Sequence, residues 1–151
     1  MGTDRDEIAN LLYTYAERID AGDFDGMAEL FADAEMTFGE ADQVRRGSDE
    51  VRAAFESSTR RYDDGTPKSK HVMTNVIVTV DETAGTATAR SYFTVLQAVP
   101  DHLALQPVAA GRYHDTFARS DGAWRFRDRQ IFVDLVGDLS HHLLYEVPDL
   151  S

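Results

Sequence analysis

No cysteine occurs among the 151 residues. That excludes thiolate nucleophiles, CxxC redox chemistry and cysteine-based zinc sites, and it fits a reducing compartment. No apolar run approaches the roughly 20 residues that span a bilayer. The N-terminus MGTDRDEIANLL also lacks the basic-then-apolar profile of a secretory signal, so a cytoplasmic location is expected. Positive charge is in deficit: 15 Lys and Arg face 27 Asp and Glu, a net charge of −12. Such a surface repels phosphate backbones and anionic headgroups, so neither nucleic acid nor a membrane is an expected partner. Its ordinary consequence is solubility. A phosphate-binding glycine loop, a GxSxG elbow and an HExxH helix are all missing, so catalysis is expected to need no cofactor.

What is present is one domain's worth of patterned chain, residues 1–151, long enough to bury a core without metal or disulfide staples. Thr3 or Asp4 can cap a helix through EIANLLYTYAERIDA, where Ile8, Leu11, Leu12, Tyr15, Ala16 and Ile19 recur at helical spacing and Gly22 ends the run. Asp23 caps a short helix over FDGMAELF, and EMTFGE reads as a first strand. Ser48 opens a third helix, DEVRAAFESSTRRY, which stops in DDGTPKS. The period then changes to two through SKHVMTNVIVTV, TATARSYFTVLQAV, VAAGRYHDTFAR and AWRFRDRQIFVDLV. Short turns between them predict antiparallel pairing. Helices first and a strand meander afterwards predict an α+β fold with the helices on one face of a curved sheet. The soft segments are PDHLALQP and the C-terminal GDLSHHLLYEVPDLS.

Strand alternation puts His71, Met73, Asn75 and Ile77 on one face and Val72, Val76, Val78 and Val80 on the other. Both faces are substantially apolar. A homo-oligomer, trimer or dimer, is therefore expected, with the valine face as its candidate interface.

The stretches AERIDAGDFDGMAELFADAEMTF and GRYHDTFARSDGAWRFRDRQIFVDL, with a helix-ending D-x-x-D-x-D pattern and a DG-x-W-R-F hairpin, resemble the SnoaL-like branch of the nuclear transport factor 2-like superfamily. The resemblance covers nearly the whole chain. It implies a cone-shaped, curved antiparallel or mixed β-sheet closed by N-terminal helices around an apolar pocket. Scytalone dehydratase, bile-acid 7α-dehydratase and hexachlorocyclohexane dehydrochlorinase belong to that branch, but so do isomerases, cyclases and catalytically silent subunits.

In the acid-base enzymes of the branch a sheet histidine pairs with an aspartate near the end of the first helix, and His71 and Asp20 match those positions. A neutral imidazole with a pKa of about 6.5 is suited to taking a carbon-bound proton near neutral pH. A carboxylate on its other nitrogen fixes the tautomer and stabilises the imidazolium that forms. Asp20 is an acid at the negative end of a helix dipole, a local conflict of the kind found at functional sites. Tyr13 on the same helix flank and Asn75 on the His71 face are expected to meet substrate. Strand parity aligned with the resemblance adds Phe93, Val95, Gln97, Tyr113, Arg129, Ile131 and Val133 as pocket lining. Scytalone dehydratase carries a histidine and an asparagine where this chain has Gln97 and Tyr113, which argues against scytalone as substrate. Gln97 and Tyr113 are candidates for binding a substrate oxygen, and Arg129 for holding a leaving group or enolate oxygen, although RFRDRQ is also an ordinary charged edge pattern.

His114 has the opposite parity to Tyr113 and belongs on the outer face or a subunit contact. His141 and His142 are adjacent, and neighbouring histidines seldom converge on one ion without further ligands, so no metal is expected. Their segment GDLSHHLL is expected to pack across the pocket mouth or onto a neighbouring subunit. The expected function is a cofactor-independent lyase, a dehydratase or dehydrohalogenase acting on a small hydrophobic cyclic substrate. An isomerase or polyketide cyclase using the same base, or a non-catalytic accessory subunit, are the alternatives.

Overall fold

The computed structural model describes residues 2–39 and 43–145. Helix α1 (Asp4–Asp20) starts in a capping box, in which the Thr3 hydroxyl accepts the Asp6 N–H and the Asp6 carboxylate accepts the Thr3 N–H. Ile8, Leu12, Tyr15 and Ile19 form its buried stripe. Gly22, at φ 77°, then turns the chain in the left-handed region open to glycine, and a Cβ there would meet the Gly65 carbonyl oxygen at 1.8 Å. That close approach brings the turn at 63–66 against the end of α1. The short helix α2 (Phe24–Glu29) is capped by Asp23, whose carboxylate accepts the Gly26 N–H.

The sheet holds six strands in the order β2-β1-β6-β5-β4-β3 and is mixed, with β1 parallel to β6 and every other pairing antiparallel. Its members are β1 (Glu35–Phe38), β2 (Gln43–Arg46), β3 (Ser69–Asp81), β4 (Thr86–Val99), β5 (Leu103–Ser120) and β6 (Ala123–Val136), with α3 (Gly47–Ser58) between β2 and β3. Helix α1 packs on β3 and β6, and α2 packs on α3. The α+β architecture is the one expected, with the six strands in one open sheet.

Several local expectations need correction. Strand β2 was not foreseen, because QVRR is too short to show a period; Glu40, the end of the expected first strand, lies outside the described residues. Ser48 is not the cap of α3. The helix begins at Gly47 without a side-chain cap and ends at Ser58 rather than Tyr62, where Thr59 leaves it to pair with Leu143. The expected loop through Leu105 belongs to β5, and Pro107 sits opposite Leu96 at an irregularity, a place where a missing N–H is tolerated.

The largest correction is in β3. Register runs Thr74 to Tyr92 and then Ile77 to Arg90, so one extra residue is inserted, and Asn75 takes φ 55° to accommodate it. Parity flips at that point. Val78 is buried with Val80 and Val76 packed behind it, on the side that also carries His71 and Met73, while Ile77 and Asn75 turn outward. The expected face of Val72, Val76, Val78 and Val80 therefore does not exist, and Asn75 is no pocket residue.

Candidate active site

Asp20 is the last residue of α1 and reaches the first residues of β3. Its Oδ1 lies 2.7 Å from His71 Nδ1 and accepts the Ser69 hydroxyl at 2.9 Å, while Oδ2 accepts the His71 backbone N–H at 2.7 Å. Strand β3 is at the sheet edge, so that N–H has no ladder partner beyond it. One carboxylate thus closes the strand edge and orients the imidazole. Both side chains are 8% exposed. Burial opposes ionisation of Asp20, but the His71 hydrogen bond and charge, the His71 N–H and Ser69 outweigh it and hold the carboxyl below its ordinary value. An ionised Asp20 requires a proton on His71 Nδ1, which leaves Nε2 with the basic lone pair. Ser69 escaped the sequence reading; its place two residues before His71, on the same strand face, was the available signal.

Register lays out an apolar sheet face beside His71. His71, Val95, Ala109 and Val136 form one row across four strands, and Met73, Phe93, Gly111 and Val133 form the next. Each row spans three strand spacings, roughly 14 Å. Val133 keeps the expected inward parity yet is 52% exposed, so this apolar floor is open at its β6 end. Gly111 has to be glycine. A Cβ would meet the Phe132 carbonyl oxygen at 1.9 Å and the Phe93 ring at 2.8 Å, so its absence lets Phe93 lie over the strand. Two grooves meet at Asp20. One of about 620 Å³ is lined by Tyr13, Glu17, Lys70, His71 and Met73. The other, of about 1080 Å³, runs past Ser69, Gln97 and His102.

The remaining expected lining residues divide. Tyr113 and Ile131 are buried, with Tyr113 stacked on Phe93 at 4.5 Å and edge-on to Tyr15 at 5.7 Å. Burial pushes the Tyr113 hydroxyl well above its ordinary pKa. Arg129 is fully buried and donates through Nε and Nη2 to Asp115 at 2.7 and 2.9 Å, with Tyr15, Tyr113 and Phe126 around its guanidinium. Burial works against that charge, but Asp115 outweighs it and keeps the group protonated. Only Nη1 lacks a partner. The fork expected to hold a leaving group is thus occupied within the core. His114 is exposed on the outer face, edge-on to Phe132.

The chain beyond β6, residues 137–144, forms a strap that runs from Val108 past Gln97 to the segment 58–62. Gly137 N–H donates to Val108, and the His141 carbonyl accepts from Gln97 Nε2 at 2.9 Å and from the Tyr62 hydroxyl. Arg60 N–H donates to the His142 carbonyl at 2.8 Å and Leu144 N–H to Ser58 at 2.9 Å. His142 is buried close enough to feel the charges of His71 and Asp20, and burial, aided by His71, pushes its imidazole down to about 4. Sequence reasoning gave His142 no part in the site. Among the described residues no three His, Cys, Asp or Glu side chains are placed to hold a metal ion. Nor is any helix of those residues long and apolar enough to cross a membrane.

A family model described as a SnoaL-like domain matches residues 2–130. No curated protein matches in sequence. Among solved structures, Rv3472, a function-unknown protein of Mycobacterium tuberculosis, is 26% identical with a TM-score of 0.68, over 85% of this chain and 70% of that one. An NTF2-like protein with a cystatin-like fold from Novosphingobium aromaticivorans is 24% identical with a TM-score of 0.69, over 85% and 80%. A candidate scytalone dehydratase from the same organism is 20% identical with a TM-score of 0.70, over 94% and 87%. At these identities the last two likenesses bear on the fold alone.

Proposed function

The chain belongs to the SnoaL-like domain family, and on that premise we propose that it is a cofactor-independent lyase, acting by elimination on a small hydrophobic cyclic substrate. The observation that carries this reading is the 2.7 Å contact between Asp20 Oδ1 and His71 Nδ1, which leaves Nε2 as a base at the edge of an apolar floor. His71 Nε2 takes a proton from the carbon next to a carbonyl. The C–H pair becomes the new C=C bond, and the leaving group departs from the neighbouring carbon with its bonding electrons. Where hydroxide leaves, the imidazolium returns the proton to it and water forms. Asp20 stabilises the transient charge.

Isomerisation or cyclisation with the same base shares the first proton transfer. A non-catalytic binding role draws support from a different observation, the mutual packing of Phe93, Tyr113, Tyr15 and Arg129, which fills part of the concave interior. The test is a panel of cyclic β-hydroxy and β-halo ketones, 3-hydroxycyclohexanone first, incubated with the protein in D2O and followed by NMR. Formation of the enone by wild type and not by His71→Ala supports elimination. Deuterium exchange without elimination points to isomerase-like chemistry, and neither result at any substrate supports the binding role.

A further inference from the structure

We infer that Gln97 and His142 form a hydroxyl-recognising subsite beside His71, which makes the leaving group a hydroxyl and the enzyme a dehydratase rather than a dehydrohalogenase. This rests on the elimination reading. Gln97 is 1% exposed, and its Nε2 spends both of its hydrogens, on the Pro67 carbonyl at 3.0 Å and the His141 carbonyl at 2.9 Å. Both partners are acceptors, so the amide cannot be turned over, and the unpartnered atom must be Oε1. A buried carbonyl oxygen accepts and cannot donate. The group that satisfies it therefore carries a hydrogen, which a halide, an ether or a ketone oxygen lacks.

The second half of the subsite is His142, 8% exposed, whose Nδ1 also has no partner. The two residues are tied together through the strap, because Gln97 holds the carbonyl of His141, the residue just before His142. They also sit with the dyad. Gln97 is cross-strand from Ser69, which hydrogen-bonds Asp20, and its row adjoins the row of His71 and Val95. A hydroxyl is the group that serves both orphans, donating to Gln97 Oε1 and accepting from His142 Nδ1–H. Leaving either buried atom unmatched carries a desolvation penalty, and that penalty discriminates against isosteres without a hydroxyl.

Paired probes that need no variant make the test: cyclohexanol against cyclohexyl methyl ether, titrated into protein labelled with 15N at histidine and glutamine side chains. The expected result is that cyclohexanol shifts the Gln97 amide and His142 ring resonances and binds about tenfold or more tighter than the ether. Equal affinity, no binding of the alcohol, or binding that leaves Gln97 and His142 unmoved overturns the subsite. His142→Phe should weaken alcohol and ether alike and leave the alcohol's advantage, which Gln97 Oε1 sets, while the Asp20–His71 ring signals stay in place. Failure here is separable from failure of the elimination reading. Equal turnover of 3-hydroxy- and 3-chlorocyclohexanone sinks the subsite and leaves elimination standing, whereas alcohol selectivity without enone formation does the reverse.

Discussion

Asp20 and His71, 51 residues apart in the chain, are joined twice: Oδ1 to the ring Nδ1 at 2.7 Å and Oδ2 to the backbone N–H at 2.7 Å. The backbone contact sets where the strand edge lies relative to α1, and the ring contact sets the tautomer. Because the same carboxylate does both, the position of the imidazole is coupled to the docking of the helix.

Replacing Asp20 with Asn preserves size but permits the wrong tautomer, with the amide donating to Nδ1 and the proton moved to Nε2. Turnover should fall by about a hundredfold or more, as general-base catalysis is lost, and His71→Ala should fall at least as far. Enone formation by NMR, with circular dichroism confirming folding, measures both. Activity in His71→Ala equal to wild type would rule out the mechanism.

Arg129 and Asp115 are a fully buried bidentate pair. Arg129→Met alone strands the Asp115 carboxylate and should cost about 3–5 kcal/mol in urea unfolding. The double replacement Arg129→Met with Asp115→Leu should recover most of that loss. A single replacement costing nothing would mean the guanidinium is not held as described.

His142 lends the fold an acid sensitivity whose sign follows from its value of about 4. The unfolded chain binds a proton on this ring below about 6.5 and the folded chain does not until near 4, so stability is full above about 6.5 and drains away as pH falls toward 4. The loss is on the order of 3 kcal/mol for the whole interval. Asp20, held below its ordinary value, adds its loss only at still lower pH, as it protonates. The charged groups facing His142 are His71 and Asp20, with Arg60 on the segment that pairs with the strap. The urea midpoint of wild type should fall more steeply than that of His142→Phe from pH 7 through 6 to 5; parallel curves would contradict the assignment.

The outer sheet face carries Val72 at 40% exposure, Ile77 at 45% and Tyr92 at 52%, with Tyr92 beside Arg112 and Phe132 in register. A second copy of the chain on this face is our proposal for the expected homo-oligomer, in place of the valine face that the bulge removed. Light scattering should show Tyr92→Glu at lower mass than wild type. A wild type already monomeric at micromolar concentration would end the idea.

Where a helical or strand period ran unbroken, the sequence was legible. Ile8, Leu12, Tyr15 and Ile19 announce the buried stripe of α1, and β4 and β6 start and stop where alternation and turn residues place them, whereas β5 starts at Leu103 rather than Val108. It failed at single-residue irregularities. One extra residue at Asn75 reverses every side chain after it, and no local propensity distinguishes such a bulge from continuous strand. Val133 kept its parity, but whether an inward residue is covered depends on what packs above it.

By itself, then, the sequence determined a helix-then-meander chain, the absence of thiol chemistry, and an aspartate and a histidine at positions fit for a dyad. Tertiary structure alone decided that Arg129 is spent on Asp115, that Gln97 gives both amide hydrogens to carbonyls, and that the strap buries His142. The reason is physical: periodicity reports which face of an element is apolar, whereas hydrogen-bond satisfaction and burial depend on partners supplied from distant parts of the chain.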